Sequence, residues 1–343
     1  MANKLVIGGV AIILAVIIFL SVVLKQAGRF WNDRDLREAN IYTIDVAPGD
    51  ALYDIVPELS NTSLVKPFWF KVYLKLFAGQ QKIDVGSYRI TEGSSYASIV
   101  KALRNGSAVE TTITLPEGFT IKQMGERITA SFPNISTEDW AKATGQFSPL
   151  ESTAFIAEAG KPDGVDFEGY LFPDTYRFDA QATALDIVKK MLDTMEGKVQ
   201  TVGLAKQVGA DKPFKSLHEA LTLASILEKE VRTPTTMANV ADIFLKRLEI
   251  GMALQADSTV NYVTGGDSPS VSFDDLKIDS PYNTYMYPGL PPGPISNPGL
   301  NALAAVANPS DNDYFYFLTD ADGDIYYAVT HDEHVANKLK YLK

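Results

Sequence analysis

A single glutamate in an apolar helical segment is the strongest candidate for acid–base chemistry in this chain. With about 100° per residue in an α-helix, one face of the predicted helix is apolar and consists of Leu217, Ala220, Leu221, Ala224, Leu227 and Val231. Glu228 falls inside this stripe, so its carboxyl group is expected to point toward the protein. Such surroundings raise a carboxyl pKa toward the value that a general acid needs. The pattern also allows a buried glutamate that pairs with an arginine such as Arg232 or Arg177.

The helix that carries Glu228 has a recognisable start. Ser216 and Glu219 have the spacing of a capping box, in which each side chain accepts a hydrogen bond from the backbone N–H of the other residue. We expect the helix to run to about Val231 and to place Glu219 and Glu230 on the face opposite the apolar stripe.

Two further segments carry side chains that suit a carbohydrate. Phe167–Phe178 combines five aromatic residues with two carboxylates and an arginine, and aromatic faces suit the C–H faces of pyranose rings. Leu254–Tyr262 offers amide, carboxylate and hydroxyl groups. Core packing is the structural alternative for the first segment, and a helix that begins at Asp257 or Ser258 is the alternative for the second.

A proline-rich segment, Ser280–Gly299, is the third candidate wall of a cleft. Proline fixes the backbone without regular hydrogen bonding, so the segment is expected to be stiff. Asn297 and Pro298 then predict the N-cap and the first residue of a helix over Leu300–Ala307.

The composition limits the classes of protein to which the chain could belong. Its 343 residues allow two domains, and 46% hydrophobic with 21% charged residues is typical of a globular protein. A net charge of −11 argues against a nucleic-acid partner, which requires clustered cations. The chain has no cysteine and only three histidines, which argues against disulfides, thiolate nucleophiles and a metal site. No cofactor is expected.

An uncharged segment near the amino terminus predicts a membrane anchor. Leu5–Leu24 is long enough to span the roughly 30 Å of bilayer hydrocarbon, and no convincing signal-peptide cleavage site follows. More basic residues follow the segment than precede it, so charge counting alone would place the rest of the chain in the cytoplasm.

Three windows that follow the predicted anchor along the chain repeat one pattern of residues. Val46–Ile55, Ile90–Ile99 and Leu115–Met124 each contain an apolar residue, a glycine three residues later, a small residue two further on, and then another apolar residue. The pattern predicts a strand, a turn with positive φ at glycine, and a helix. The first two windows resemble the opening of LysM modules, which bind glycans containing N-acetylglucosamine, although the aromatic insertion over 60–85 departs from that pattern. Chance recurrence of a common turn and a packing or positioning domain are the alternatives.

Two other acidic or histidine-rich patterns are interpreted structurally. Asp320–Asp324 begins like a calcium loop but lacks the later EF-hand residues, so we expect a hairpin turn between strands Tyr314–Thr319 and Ile325–Val329. His331 and His334 have no third ligand for a metal, so the segment His331–His334 is expected to cap the last helix.

Five motifs in the same order resemble the MltG (YceG-like) family of endolytic murein transglycosylases. They are Glu168–Tyr176, Leu223–Glu230, Gln255–Ser258, Ser280–Tyr285 and Gly289–Pro298. The resemblance implies an α+β fold: an amino-terminal transmembrane helix, a small LysM-like α/β module and a larger mixed α+β catalytic domain. The implied divisions are 1–25 for a cytoplasmic stub and the anchor, 26–40 for a linker, 41–113 for the LysM-like module and 114–343 for the catalytic domain. It also implies a single-pass protein of the inner membrane with its catalytic domain outside the cytoplasm, opposite to the charge count.

The resemblance further implies the reaction and the site. Glu228 would protonate the β-1,4 bond between N-acetylmuramic acid and N-acetylglucosamine within nascent strands, and would then accept a proton as the C6 hydroxyl closes a 1,6-anhydro ring. No metal is implied. The residues expected to orient the glycan and support the developing positive charge are Glu168, Tyr176, Gln255, Asp257, Ser258, Asn283 and Tyr285. The expected partners are peptidoglycan strands, the membrane and peptidoglycan synthases.

Two other functions fit the same sequence. The chain could be a non-catalytic, membrane-tethered scaffold that binds glycan, or a hydrolase of the lysozyme kind. A retaining hydrolase needs a second carboxylate about 5–5.5 Å from the first, and Glu168 and Asp257 are its candidates.

Overall fold

The computed structural model describes residues 28–32, 40–47, 49–62, 64–79, 83, 85–105, 110–180, 182–266 and 271–342. The predicted anchor Leu5–Leu24 lies outside these residues. Within the described ranges, no helix has both the length and the hydropathy needed to cross a bilayer. The chain divides into two compact units, Met1–Thr111 with Arg177–Gln181 and Thr112–Tyr176 with Ala182–Lys343. Helices and two-stranded sheets occur along the described chain, which gives a mixed α+β fold.

Unit 1 contains one antiparallel strand pair and helices around a buried apolar core. Strands β1 (Ile41–Val46) and β2 (Gly86–Thr91) pair from Ile41↔Thr91 to Val46↔Gly86. Helices α1 (Val56–Asn61) and α2 (Pro67–Tyr73) lie between them in sequence, and α3 (Tyr96–Asn105) follows β2. A π-helical turn, Leu74–Ala78, continues α2. Residues 28–31, in the predicted linker, form a helical turn, and Phe30 is buried in this core. The LysM-like character of the unit stays a prediction.

Unit 2 is mainly helical. A further two-stranded sheet in the chain consists of β3 (Glu110–Thr114) and β4 (Thr175–Asp179). Within unit 2, β5 (Tyr316–Thr319) and β6 (Ile325–Ala328) form the predicted hairpin. The helices in chain order are α4 (Ile121–Ser131), α5 (Thr137–Thr144), α6 (Ala154–Ala159), α7 (Ala184–Val202), α8 (Leu217–Glu230), α9 (Pro234–Glu249), α10 (Asp257–Thr264), α11 (Leu300–Ala307) and α12 (His331–Tyr341).

The helix predicted over Leu300–Ala307 lies at the centre of unit 2. It packs against α7, α8 and α9, and its alanine-rich sequence lets neighbouring backbones approach closely. Its predicted N-cap is wrong, because Gly299 occupies that position and makes no side-chain cap. Asn297 is instead fully buried and binds backbone groups of other segments.

The repeated strand–turn–helix pattern is confirmed in the second and third windows, and the first window has the predicted strand and turn. The turn glycines Gly49, Gly93 and Gly118 have φ values of 95°, 87° and 73°, a region that favours residues without a Cβ. Thr120 caps α4 with a complete capping box. In the first window the helix begins later than the pattern suggests, with Ile55 at the N-cap of α1.

Two of the predicted caps differ in detail from the expected ones. Ser216 accepts a hydrogen bond from the backbone N–H of Glu219, but the Glu219 carboxylate accepts from Lys215 rather than from Ser216. At the last helix, Thr330 and Glu333 form the capping box, and His331 is the first helical residue. Glu333, within the segment expected to cap this helix, thus supplies part of the cap, and the two histidines do not.

Candidate active site

The last turn of α8 presents Glu228 at the boundary between the interior of unit 2 and solvent. Its side chain is half-buried, whereas the helix from Ala220 to Leu227 is buried on all sides. The helix that the sequence predicts to be amphipathic is thus surrounded by other helices, because α9, α10 and α11 pack around it. The Glu228 carboxylate accepts a hydrogen bond from the backbone N–H of Gly299, with 2.9 Å between N and Oε2. This contact leaves Oε1 free to carry a proton.

Burial controls the acidity of Glu228. Burial is the main cause that raises its pKa to about 7. The nearby carboxylate of Glu117 adds to the rise, and the Gly299 N–H and Lys229 oppose it. Among the described residues, Glu228 makes no salt bridge with an arginine. The carboxyl group is therefore in the state that the sequence predicts for a general acid: protonated in part near neutral pH and accessible from one side.

Glu117 is a second carboxylate beside Glu228 that the sequence analysis did not identify. It is exposed and lies in the loop between β3 and α4. Its side chain covers the Cα of Gly299, since a Cβ added at Gly299 would meet the Glu117 carboxylate at 2.0–2.1 Å. The neighbouring Gly118 packs against Glu228: a Cβ added at Gly118 would lie 3.5 Å from the Cγ atom of Glu228. Both carboxylates thus converge on Gly299.

The frame around Glu228 is built by two segments that bind each other through their backbones. Gly118 N–H donates to the carbonyl of Asn297, and Asn297 N–H donates to the carbonyl of Phe119, both with N–O distances of 2.9 Å. The Asn297 Oδ1 atom accepts from the N–H groups of Gly169 and Leu171, at 3.0 and 2.9 Å. Asn297 therefore joins the loop of the third repeat to the aromatic segment that the sequence identified.

Glu168 lies behind this frame rather than in the open part of the site. It is only 7% exposed, and the N–H of Ile121 donates to both of its oxygens at 3.1 Å. The Asn297 side-chain amide donates to its Oε1 at 2.8 Å. Burial raises the pKa of Glu168 to about 8, although these hydrogen bonds oppose the rise. The carboxyl group thus links the start of α4 to Asn297, and its predicted contact with substrate would require these bonds to break.

Tyr176 and Asn283 are likewise engaged within the protein. The Tyr176 hydroxyl donates to the carbonyl of Phe172 at 2.7 Å, and burial raises its pKa. Asn283 is fully buried, and its amide donates to the carbonyls of Leu276 and Ile278. Both side chains shape the loops that carry them, and their role in binding substrate stays a prediction.

Asp257, Ser258 and Tyr285 form a network with Glu230. The Tyr285 hydroxyl donates to Asp257 Oδ1 at 2.6 Å. The Ser258 backbone N–H and hydroxyl both donate to Glu230 Oε1, at 3.1 and 2.6 Å. Helix α10 has no cap from its own N-cap residue, so Glu230 supplies one from α8. The helical pattern places Glu230 opposite the apolar stripe, and the structure adds that its carboxylate is bound to α10.

Gln255 has the one left-handed backbone among the described non-glycine residues, with φ 53°. Its neighbours hold that conformation: its N–H donates to the carbonyl of Thr284, and Arg247 donates to the carbonyl of Leu254 at 2.6 Å. The side chain of Gln255 is exposed. A strained residue that displays a polar side chain is a common feature of ligand-binding sites.

The proline-rich segment is fastened to α8 along its length. Ile295 N–H donates to the Ser225 hydroxyl at 3.0 Å, and the Ser296 hydroxyl donates to the Ser225 carbonyl at 3.1 Å. The carbonyl of Pro292 accepts from His218 Nε2 at 2.8 Å, so Nδ1 accepts from the Tyr170 hydroxyl at 2.7 Å. The histidine is thereby a structural link, and burial lowers its pKa.

The structure brings together only part of the predicted site. Glu228 is placed against Glu117, Gly118 and Gly299, none of which the spacing of motifs singled out for chemistry. The signal that could have identified Glu117 is weak, because the second repeat also has a glutamate, Glu92, before its glycine. Among the described residues, no group of three or more histidine, aspartate or glutamate side chains could hold a metal ion.

Comparisons with known proteins agree with one family. A family model described as the YceG-like family matches residues 44–340. An endolytic murein transglycosylase from Bacillus subtilis is 32% identical over 315 residues, covering 87% of this chain and 84% of that protein. An endolytic murein transglycosylase from Streptococcus pneumoniae is 28% identical over 335 residues, covering 90% of this chain and 60% of that protein.

A solved structure is similar over most of the chain. The crystal structure of a yceG-like protein from Listeria monocytogenes aligns with 88% of this chain and with all of its own, at 31% identity and a TM-score of 0.57.

Proposed function

The chain belongs to the YceG-like family, and from this premise we propose that it is a peptidoglycan lytic transglycosylase in which Glu228 is the acid and then the base. Its substrate is the glycan strand, and the bond that it cleaves joins N-acetylmuramic acid to N-acetylglucosamine. Cleavage within the strand follows the endolytic activity for which the relatives from Bacillus subtilis and Streptococcus pneumoniae are named.

The proposed reaction moves one proton out of Glu228 and one back. Protonated Oε1 donates to the glycosidic oxygen as the bond from that oxygen to C1 of the muramic acid breaks. The C6 hydroxyl oxygen of the same sugar attacks C1, and its proton passes to the ionised carboxylate. The product carries a 1,6-anhydro ring, no water is consumed, and Glu228 ends in its starting state.

The observation that carries the proposal is the state of Glu228. It is half-buried, its pKa is raised to about 7, and one oxygen is held by Gly299 while the other is free. Glu168 and Glu230 also have raised pKa values, but hydrogen bonds inside the protein occupy both. Glu228 is therefore the acid that a sugar oxygen can reach.

Glu117 has a supporting role in this proposal. Its negative charge beside Glu228 favours the neutral carboxyl group, which is the form that donates the proton. The same charge would favour the positive charge that develops at C1. Of the residues predicted to bind glycan, exposed Gln255 and the Asp257–Tyr285 pair offer groups for substrate hydroxyls and amides.

We further propose that Leu5–Leu24 anchors the chain in the inner membrane, with the residues that follow this segment outside the cytoplasm, where peptidoglycan lies. The length of this uncharged segment supports the anchor, and the site of the substrate supports the orientation. Peptidoglycan synthases are the partners that such a position would favour.

Glu117 also favours a second candidate function, a retaining hydrolase. Such an enzyme needs a nucleophilic carboxylate close to its acid, and Glu117 meets that requirement better than the predicted Glu168 or Asp257. The hydrolase would add water and leave reducing ends.

The test is digestion of purified peptidoglycan by the full chain, followed by mass spectrometry of the products. We expect 1,6-anhydro-muramyl ends from the wild type and none from Glu228→Gln, while Glu126→Gln, an exposed glutamate on α4, retains the wild-type products. Reducing ends would favour the hydrolase. Full activity of Glu228→Gln would contradict the assignment of the acid, and absence of cleavage by every variant would favour a glycan-binding scaffold.

A further inference from the structure

Unit 1 has an exposed apolar face that the proposed reaction does not use. Trp31, Phe68, Leu76 and Phe77 are 57%, 69%, 65% and 53% exposed. Isolated apolar side chains are common on protein surfaces, but four large ones from two adjoining segments are the kind of patch that marks an interaction site.

The face is built rigidly from α2 and the helical turn at residues 28–31. The ring of Trp31 packs edge-on against Phe77 and Tyr73, with centroids 5.2 and 5.6 Å apart. Phe30 is buried against Tyr73 and Tyr96. The wider π-helical turn leaves two successive apolar side chains, Leu76 and Phe77, at the surface. The exposed rings of Trp31 and Phe77 are thus packed against the buried residues Tyr73 and Phe30.

The charged residues of the helical segment that carries most of the face are all positive. Lys66, Lys71 and Lys75 are exposed on the same helical segment, and no acidic residue occurs between Lys66 and Gly79. In a chain with a net charge of −11, this segment is a local exception. Exposed aromatic and aliphatic side chains among lysines are typical of helices that lie in the interface of an anionic membrane.

The position of the face in the chain agrees with a membrane partner. Only Lys25, Gln26 and Ala27 separate the predicted anchor from the helical turn at residues 28–31, and three residues reach at most about 10 Å. A segment tied so closely to the anchor stays near the lipid headgroups, where tryptophan rings are favoured.

We propose that this face, formed by Trp31, Phe68, Leu76, Phe77 and the three lysines, binds the surface of an anionic phospholipid bilayer. The proposal rests on the anchor proposed above. The apolar side chains enter the interface between headgroups and acyl chains, and the lysines bind lipid phosphates. Unit 1 is then fixed in orientation on the membrane instead of swinging on a flexible tether.

The absence of cysteine from the chain makes a direct test possible. Phe68→Cys and Leu76→Cys place single labelling sites on the face, while Ile41→Cys and Phe147→Cys place them at residues that are exposed elsewhere in units 1 and 2. Each full-length variant is labelled with a polarity-sensitive fluorophore and reconstituted into vesicles of phosphatidylcholine and phosphatidylglycerol, with and without a nitroxide-bearing lipid.

We expect blue-shifted emission and quenching by the nitroxide at positions 68 and 76, and aqueous emission without quenching at positions 41 and 147. Aqueous emission at all four positions in a chain that sediments with the vesicles would overturn the docking face and leave the anchor intact. Failure of the chain to sediment with the vesicles would overturn both.

A charge variant tests the role of the lysines. Lys71→Glu with Lys75→Glu is expected to reduce quenching at position 68 several-fold in vesicles with phosphatidylglycerol and to change it little in pure phosphatidylcholine. Lys338→Glu with Lys340→Glu, on α12, is the matched control and should have no effect. Equal quenching in both lysine variants would contradict the proposed binding of lipid phosphates by Lys71 and Lys75.

Discussion

The carboxyl groups of Glu228 and Glu168 both have raised pKa values, but only that of Glu228 is accessible to a substrate. Burial raises the pKa of both, to about 7 and about 8, and both depend on the segment from Asn297 to Gly299. Glu228 accepts one hydrogen bond there and keeps an oxygen free, whereas Glu168 accepts from Ile121 and Asn297 and is closed off.

This difference shows that a raised pKa is not sufficient to identify an acid catalyst. A buried carboxyl group can stay protonated and serve only to join segments, as Glu168 joins α4 to Asn297. A catalytic acid must combine the same proton affinity with a path to the substrate. Half-burial of Glu228 provides both, because the protein removes water from one side of the carboxyl group only.

The largest expected effect separates the two groups by activity. Glu228→Gln removes the proton donor and should lower kcat by about 10²–10⁴-fold, the range for general acid catalysis, with little change in thermal stability. Glu168→Gln should lower kcat by less than about tenfold, because Glu168 affects the reacting atoms only indirectly, through the segments that it joins. Steady-state rates on purified glycan strands, with melting temperatures for both variants, measure this. Similar losses of kcat in the two variants would contradict the distinction.

The segment that the two groups share should dominate stability. Asn297→Ala leaves the buried N–H groups of Gly169 and Leu171 without their acceptor, and each such loss costs about 1–3 kcal/mol. We expect the free energy of unfolding to fall by about 2–4 kcal/mol.

The control is Asn301→Ala, which changes an exposed asparagine on the adjoining helix and should cost less than about 0.5 kcal/mol. Denaturant unfolding of both variants checks the prediction. Equal stability of the two would show that the Asn297 bonds do not hold the frame.

The pH dependence of unfolding should distinguish the closed carboxyl group from the open one. A carboxyl group with a raised folded pKa binds more protons in the folded state than in the unfolded state, so stability falls as pH rises from its ordinary value to the folded value. For Glu168 this window ends near pH 8, and for Glu228 near pH 7.

The free energy of unfolding should therefore no longer fall above about pH 7 in Glu168→Gln. In Glu228→Gln, its dependence on pH should become weaker only below about pH 7. The change for Glu168 is on the order of 5 kcal/mol across the window, at about 1.4 kcal/mol for each pH unit. Unfolding free energies measured from pH 5 to pH 9, with Glu126→Gln as the exposed control, would reveal it. A wild-type slope retained in Glu168→Gln would show that this carboxyl group is already ionised.

The smallest expected effect concerns Glu117 and Lys229, whose charges change the pKa of Glu228 in opposite directions. Glu117→Gln removes the charge that raises the Glu228 pKa, so the alkaline limb of kcat/KM against pH should move to lower pH. Lys229→Gln removes a charge that lowers it and should move the limb to higher pH. Each shift should be roughly half a pH unit, since a unit charge at about 4 Å in water is worth about 1 kcal/mol.

The two variants serve as controls for each other. A loss of stability alone would not shift the alkaline limbs of their pH profiles in opposite directions. Shifts in the same direction would contradict the electrostatic role of Glu117. A loss of all products in Glu117→Gln would instead favour its role as a nucleophile.

Local patterns predicted much of the secondary structure. The helix over Leu217–Glu230 was expected to end at about Val231, and the helix over Leu300–Ala307 and the β5–β6 hairpin were expected close to where they occur. These predictions depend on interactions between residues a few positions apart, such as capping, glycine turns and apolar periodicity. The same local rules misassigned Asn297 as an N-cap, because its side chain satisfies buried N–H groups from a distant segment.

The helical position of Glu228 among apolar residues follows from local sequence, because the helical period depends on backbone geometry alone. The surroundings of this acid depend on the packing of segments that are distant along the chain. Glu117 and Gly299 reach Glu228 from opposite directions along the chain, through a loop and a helix start whose backbones bind each other. Contacts of that kind depend on how packed segments satisfy their buried polar groups, and no spacing of residues along the chain records them.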